Sequence, residues 1–351
     1  MQRRFLSVLA LLVAGALIAA ALAGRGDAER ADSRTYILAT ATTGGTFYPV
    51  GVAIATLTKQ VLAESHGVAL AAISSAGSQE NLRLMRSGEA QFAILQGLYG
   101  AWAWNGSGRL SGEEPFDGLR SVTALWPNVE HFVIRREFAE TEAVGDLANL
   151  AGRRFSIGAR YSGTEGSNRH ILSALGIDPD ERFNLVYQGY GASADAFRNR
   201  MIDGMNTPAG VPVGAVTRVM AASGDEAVLL GFDESDLAAV NRDYPGLYRF
   251  IEIEAGTYPH QEQDVRTIGQ ANLLGTTSEV PDEHVYRVLR ALYDNLSFLH
   301  AFHAATRVMQ PDTALDGLPV PLHPGAVRFY REIGLDIPEQ LLPPELAGDG
   351  P

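Results

Sequence analysis

The chain has 351 residues, of which 46% are hydrophobic, and this length allows two domains with cores of their own. Its formal net charge of −13 argues against nucleic acid and against anionic lipid surfaces as partners. Cysteine is absent, which excludes disulfides, thiolate metal sites and thiol nucleophiles.

The N-terminus carries the pattern of a secretory signal peptide. Arg3 and Arg4 precede an Ala/Leu-rich run over residues 5–23, which ends in the small-x-small sequence Ala21-Leu22-Ala23. We expect cleavage near Ala23 and a mature protein in the periplasm. The alternative is an uncleaved anchor helix, which fits the length of the run but not its cleavage sequence.

After the signal, short apolar strands alternate with amphipathic helices. The predicted strands of this first region cover residues 36–39, 68–73 and 91–95, and the predicted helices cover residues 49–63 and 80–87. The helix faces predicted to point inward carry Val50, Ile54, Leu57, Leu82 and Met85. This alternation predicts a mainly parallel, doubly wound sheet.

Two further strands, over residues 119–126 and 131–135, lead into a second region with the same alternation. Its predicted strands cover residues 154–157, 185–187, 203–206 and 228–230, and its predicted helices cover residues 164–175, 192–201 and 211–222. Residues 268–274 predict a strand that returns to the first region, and helices follow over residues 283–299 and 326–333.

These elements predict an α/β protein of two doubly wound lobes with a ligand cleft between them. The signal peptide covers residues 1–23. The first lobe is expected to be discontinuous, with residues 34–128 and 266–340, and the second lobe is expected to cover residues 129–265.

Three loops rich in hydrogen-bond donors each lie between a predicted strand and a predicted helix. Their candidate ligand-binding residues are Gly44, Gly45 and Thr46, then Gly77 and Ser78, then Ser162, Gly163 and Thr164. Glycine lets the backbone approach a ligand closely, and a helix start offers unpaired N–H groups with positive partial charge. The loops therefore favour a small anionic ligand, although a tight turn or a simple N-cap explains the same residues.

Four more side chains are candidates for the cleft. Tyr48 has a polar hydroxyl on an apolar ring, Asn81 lies one turn into a predicted helix, and Gln96 ends a predicted strand. Arg169 is the best placed cation for a carboxylate. The structural alternatives are core packing for Tyr48 and a surface ion pair for Arg169.

The motifs of common catalytic sites are missing from the sequence. It contains no Gly-x-Ser-x-Gly, no Ser-x-x-Lys, no His-Glu-x-x-His and no phosphate-binding Walker loop. His300 and His303 are spaced for one helix face but lack a nearby third ligand. We therefore predict no catalytic residues, no metal and no cofactor, and a protein that is not an enzyme.

Taken in order, several motifs resemble the TAXI family, the solute receptors of one branch of the TRAP (tripartite ATP-independent periplasmic) transporters. The stretch Thr43-Gly-Gly-Thr-Phe-Tyr-Pro-Val-Gly51 is similar to the family signature, and Gly77-Ser-Gln-Glu-Asn-Leu-Arg83 is similar to its Gly-Ser-x-Glu-Asn segment. Ser162-Gly-Thr-Glu165 resembles the loop of its second domain, and Asp203-Gly-Met-Asn with Gly210-Val-Pro212 resembles a later element. The resemblance covers roughly residues 36–302.

The resemblance implies a fold of the type II periplasmic binding protein kind and adds Gly210 to the candidate site. It implies a monomeric receptor that captures a small organic acid of the glutamate or 2-oxoglutarate type. The receptor delivers this solute to the membrane permease subunits of a TRAP transporter. The alternative is a periplasmic ligand sensor or enzyme on the same two-lobe scaffold, because a fold does not fix a function.

The signal sequence makes the first testable prediction. Mass spectrometry of the periplasmic fraction of an expressing bacterium should find a chain that begins near Gly24, because the small residues before it fit the signal peptidase site. A chain with Met1 intact in the membrane fraction would contradict the prediction.

Overall fold

A computed structural model describes residues 33–346 of the chain. The predicted signal peptide lies outside the described residues. Among the residues described, no helix combines the length and the apolar character that a membrane span requires.

The strands and helices follow each other in the alternation that the sequence predicts. The strands are β1 (Arg34–Ala39), β2 (Val68–Ile73), β3 (Phe92–Gln96), β4 (Leu119–Val129), β5 (Phe132–Arg135), β6 (Arg154–Ser156), β7 (Asn184–Val186), β8 (Gly204–Asn206), β9 (Ala227–Leu229), β10 (Tyr248–Ile253) and β11 (Val265–Thr277). The helices are α1 (Phe47–His66), α2 (Ser78–Arg86), α3 (Gly97–Asn105), α4 (Gly163–Ala174), α5 (Pro179–Arg182), α6 (Tyr190–Arg198), α7 (Gly214–Ser223), α8 (Glu234–Val240), α9 (Asp282–Asp294), α10 (Leu296–Phe302) and α11 (Pro324–Glu332).

The strands form two sheets, which confirms the α/β two-lobe prediction. The first sheet has the order β10-β11-β3-β1-β2, with β4 paired to β11, and the second has the order β7-β6-β8-β5-β9. We call each sheet with its helices the first and the second lobe. The residue boundaries given above for the lobes stay a prediction.

The first sheet is less parallel than the sequence predicts. β1 runs parallel to β2 and β3, whereas β11 is antiparallel to β3, β4 and β10. The reason is that β4 and β11 join the lobes as plain strands, without the helical crossover that a parallel neighbour needs.

Burial follows the predicted helix faces. Val50, Ile54, Leu57, Leu82 and Met85 are all buried in the core of the first lobe, as their spacing predicts. The helix predicted over residues 283–299 is two helices, because the chain breaks at Asn295, where φ is −130°. Helix α3 and strand β10 are additions that the sequence patterns did not predict.

A segment of five residues connects the two sheets. β4 ends at Val129, which pairs with Gly269 of β11 and also exchanges both backbone hydrogen bonds with Ala209 of the second lobe. β5 begins three residues later, at Phe132. We call residues 127–131 the crossing segment; the side chains of Asn128, Glu130 and His131 in it are completely buried.

Asn81 holds the carboxyl ends of two strands together under the cleft. Its amide nitrogen donates to the carbonyl oxygens of Thr40 at 2.7 Å and Ile94 at 2.9 Å, and its amide oxygen accepts from Ser75 Oγ at 2.6 Å. The side chain is completely buried. Asn81 therefore fixes where β1 and β3 end relative to the start of α2.

Replacing Asn81 by alanine should destabilise the protein by about 3 kcal/mol, because it leaves several buried polar groups without partners. Urea unfolding of the variant measures this loss. Asn105→Ala is the matched control, since the Asn105 amide donates one bond of 2.9 Å to Ala101 at a partly buried position. Equal losses for the two variants would show that Asn81 has no special structural role.

Candidate ligand-binding site

A cavity lies between the two lobes at the carboxyl ends of the strands. It is small, with a volume of about 40 Å³. The side from the first lobe consists of Ala41, Thr42, Gly45, Thr46, Phe47, Ala76, Gly77, Ser78, Gln96 and Asn128. The side from the second lobe consists of Ala159, Ser162, Gly163, Thr164, Gly189, Tyr190, Pro208 and Ala209.

Five helix N-termini meet at this cavity. The lining residues that cap or begin a helix are Thr46 and Phe47 for α1, Gly77 and Ser78 for α2, Gln96 for α3, Ser162 and Gly163 for α4, and Gly189 and Tyr190 for α6. The first N–H groups of a helix have no partner within it, and the helix dipole places positive partial charge there. In the described part of the chain no arginine or lysine lines the cavity. Its positive potential therefore comes from the main chain.

The lobes touch each other around the cavity. Glu80 N donates to Tyr161 O at 3.3 Å, the Tyr99 hydroxyl donates to Ser162 O at 3.4 Å, and Arg109 forms an ion pair with Glu165 at 3.4 Å. These contacts join α2, α3 and the loop after α3 to the start of α4. The structure is therefore a closed form of the cleft.

Glycine is required where the lobes approach most closely. A Cβ atom on Gly163 would lie 2.7 Å from the side-chain amide of Gln96 and 2.8 Å from Ser78 Oγ. A Cβ atom on Gly166 would lie 2.1 Å from the Tyr99 hydroxyl oxygen. Real Cβ atoms do not come this close to other heavy atoms, so larger residues would hold the lobes apart.

Several hydroxyl groups of the site already use their single proton within the protein. Ser162 Oγ donates to Ala159 O at 2.6 Å and accepts from Glu165 N, which makes it the N-cap of α4. Tyr190 donates to Pro208 O at 2.6 Å, so the 2.9 Å contact with Thr164 has Thr164 as the donor. Thr46 is different, because its bond to Gly210 O is long, at 3.5 Å.

The structure brings most of the predicted site residues together and places the others elsewhere. Those that line the cavity are Gly45, Thr46, Gly77, Ser78, Gln96, Ser162, Gly163 and Thr164. Those that do not line it are Gly44, Tyr48, Asn81, Arg169 and Gly210.

The five residues outside the lining have other contacts. Arg169 pairs with Asp180 at 2.6 Å and with Glu165 at 3.3 Å, and this guanidinium lowers the pKa of the Asp180 carboxyl. The ion-pair alternative is thus the one that the structure shows for Arg169. Gly44 faces the backbone of Gly191, and Gly210 packs against Trp126 and Ala305, so both serve contacts between elements. Tyr48 is half-buried on α1 and Asn81 is the internal tie described above.

Sequence reasoning missed three polar side chains of the cavity wall, those of Thr42, Asn128 and Tyr190, and a carboxyl behind the wall. Asn128 lines the cavity, and neither its amide nitrogen nor its amide oxygen has a partner; the same is true of Gln96 Oε1. Tyr190 follows a strand in a Gly-Tyr-Gly sequence, which is the kind of loop that identified the other helix starts. Glu130 lies two residues beyond Asn128 in the crossing segment, where no motif marks it.

The two histidines with helical spacing do not form a metal site. His300 Nε2 faces Met309 O at 3.3 Å, and His303 Nδ1 accepts from Ala305 N at 3.1 Å. Within residues 33–346 no group of three histidine, aspartate or glutamate side chains is arranged to hold a metal ion.

Comparison with known proteins places the chain in a family and in a fold. The model of the NMT1-like family matches residues 38–334. Among solved structures, MatC from Rhodopseudomonas palustris with bound malate shares 15% identity and a TM-score of 0.51, with 86% of this chain and 96% of that chain covered.

The aliphatic sulphonate binding protein SsuA gives weaker matches among the solved structures. The Escherichia coli structure shares 9% identity and a TM-score of 0.41, with 85% of this chain and 78% of that chain covered. The alkanesulfonate-binding protein from Xanthomonas axonopodis pv. citri, bound to MOPS, shares 11% identity and a TM-score of 0.43, with 86% and 84% covered. At identities this low, a match concerns the fold and says nothing about which ligand is bound.

Gly163→Ala should prevent the lobes from reaching the closed geometry. The added methyl group meets Gln96 and Ser78 at distances that packed atoms do not tolerate. Because the chain has no cysteine, spin labels attached at Lys59→Cys and Met201→Cys, one on each lobe, report the distance between the lobes.

The distance distribution of Gly163→Ala should lose its shortest component. Gly145→Ala is the matched control, since nothing lies within 4 Å of a Cβ atom there. Identical distributions for both variants would mean that Gly163 does not limit closure.

Proposed function

The chain belongs to the NMT1-like family, and we propose that it is a solute-binding receptor. In this proposal it captures a small organic acid between its lobes, in the periplasm, and delivers the acid to a TRAP-type secondary transporter. The protein acts as a non-catalytic monomer, and its partners are the solute and the membrane permease subunits.

The observation that carries the proposal is the meeting of five helix N-termini at one cavity between the lobes. Each helix start provides unpaired N–H groups and positive partial charge, and together they favour an anion over a cation or a neutral sugar. Charge-assisted hydrogen bonds of this kind contribute about 1.5–3 kcal/mol each. About three to five of them supply the roughly 8 kcal/mol that corresponds to micromolar binding.

The two lobes contribute helix starts separately, which suits a solute with two acidic groups. α1, α2 and α3 come from the first lobe, and α4 and α6 come from the second. A dicarboxylate of the glutamate or 2-oxoglutarate type bridges the two sets and so favours the closed form. Malate, which the MatC structure holds, has the same kind of charge distribution.

The assignment to a TRAP transporter rests on the ordered TAXI-like motifs. Two of them, around Gly45 and Gly163, lie on facing walls of the cavity. The delivered solute crosses the membrane through separate permease subunits, which recognise the closed receptor.

Calorimetry with glutamate, 2-oxoglutarate and malate tests the function. We expect at least one of these acids to bind and to stabilise the protein against heat by about 2.7 kcal/mol at one hundred times its dissociation constant. A sugar or a cation that binds in place of all acids would contradict the proposal.

Thr46→Val tests the site itself. The change keeps the shape and removes a hydroxyl that lines the cavity and has only a long internal bond, so affinity for the bound acid should fall roughly tenfold. Thr58→Val is the control on the same helix, because Thr58 is buried away from the cavity and bonds Ala55 and Leu70. Unchanged affinity in Thr46→Val would remove this hydroxyl from the site.

A further inference from the structure

Glu130 is a completely buried carboxyl group without a counter-charge. Its backbone is tied to β11, since Glu130 N donates to Ile268 O and Thr267 Oγ1 donates to Glu130 O, both at 2.9 Å. Its side-chain Oε2 accepts from Asn206 Nδ2 at 2.5 Å, whereas Oε1 has no hydrogen-bond partner. In the described residues no arginine, lysine or histidine forms an ion pair with it.

The neighbouring amide fixes which oxygen of Glu130 accepts a proton. Asn206 Oδ1 accepts from His131 N at 2.8 Å, so its nitrogen is the atom that faces Glu130. That nitrogen also donates to Asn168 Oδ1 at 2.6 Å, which uses both of its hydrogens. Oε2 is therefore an acceptor, and the free Oε1 is the atom available to carry a proton.

The titratable groups around Glu130 carry no positive charge at neutral pH. His131 Nδ1 faces Val129 O and its Nε2 faces the Tyr258 hydroxyl, both at 2.8 Å, and burial lowers the pKa of His131 to about 4. Burial raises the pKa values of Tyr190 and Tyr248, so both phenols stay neutral. On β8 and α4 the groups in the network with Glu130 are the amides of Asn206 and Asn168.

Glu130 lies behind the wall of the solute cavity. Asn128, two residues earlier, lines the cavity. The amide partners of Glu130 lie next to the opposite wall, since Asn206 is two residues before the lining residue Pro208 and Asn168 is one helical turn after the lining residue Thr164. Tyr190 also lines the cavity, and ionised Glu130 contributes to the raised pKa of its hydroxyl. An anion in the cavity and an ionised Glu130 would thus repel each other across a medium of low dielectric constant.

We propose that Glu130 is a proton-binding site coupled to the solute site, so that the cleft binds an anionic solute together with a proton on Glu130 Oε1. The proposal rests on the proposed function, because the coupling needs an anion in the cavity. The receptor then holds one of its own carboxyl groups neutral whenever it is loaded.

The pH dependence follows from the sign of the coupling. Burial raises the pKa of Glu130 to about 8, and an anion bound in the cavity raises that pKa further. Below about pH 7 the group is protonated in both states, and affinity is constant. Above pH 8 binding requires proton uptake, so affinity falls, by at most about tenfold per pH unit.

Calorimetry with 2-oxoglutarate measures the coupling, since both of its carboxyl groups stay ionised across this range. Titrations at pH 9 in two buffers of different ionisation enthalpy should show uptake of roughly half to one proton per solute bound. The ratio of the dissociation constants at pH 9 and pH 7 should be roughly five to ten for the wild type. It should be about one for Glu130→Gln, which cannot ionise.

Glu254→Gln is the control, because Glu254 is an exposed carboxyl group and its removal should leave the pH ratio of the wild type. Binding of 2-oxoglutarate without proton uptake in the wild type would overturn the coupling and leave the receptor function in place. A pH ratio in Glu130→Gln equal to that of the wild type would assign the proton to another group and also overturn it. If 2-oxoglutarate, glutamate and malate all fail to bind, both the proposed function and the coupling are wrong.

Discussion

The geometry of the cleft depends on the pairing of β4 with β11. The two strands are paired from Leu119 and Thr277 to Val129 and Gly269, and Val129 also pairs with Ala209 of the second lobe. The crossing segment therefore has main-chain partners on both sides, and its path between the sheets is fixed. The main chain of the crossing segment pairs with strands of both lobes. Its side chain Asn128 lines the cavity, and Glu130 is the proposed proton-binding site behind it.

Recognition by helix starts alone differs from recognition by an arginine. A guanidinium forms a strong, directional pair with one carboxylate, whereas partial charges from five helices spread the attraction around the whole cavity. The attraction then exists in full only while both lobes contribute. A receptor that must release its solute gains from this arrangement, because opening the cleft removes the helix starts of one lobe at once.

The sequence predicted the fold better than it predicted the side chains of the site. Glycine-rich loops between a strand and a helix identify the main-chain part of the cavity, since Gly45, Gly77 and Gly163 all line it. Side-chain roles depend on contacts with distant residues. Arg169 meets Asp180 and Asn81 meets the carbonyl groups of Thr40 and Ile94, and no local pattern reveals either pairing.

Tertiary pairing also explains the errors in the fold. The first sheet is mixed because the long strand β11 runs antiparallel to β3 and no helical crossover makes it parallel. Hydrophobic periodicity in the sequence does not give the direction of a strand. Glu130 shows the same limit at the site. A single glutamate between a valine and a histidine resembles an ordinary polar position, and its burial depends on contacts with residues far away in the sequence, such as Asn206 and Ile268.

A pocket built from main-chain N–H groups responds to mutation differently from a pocket built from side chains. Substitution changes side chains, but every residue except proline keeps its N–H group, so only a mutation to proline deletes one of these donors. In the proposed receptor, the preference for an anion thus belongs to the main chain, while side chains select among anions. In this chain two side chains are placed for this selection. They are the amide groups of Gln96 and Asn128, which line the cavity with polar atoms still unpaired.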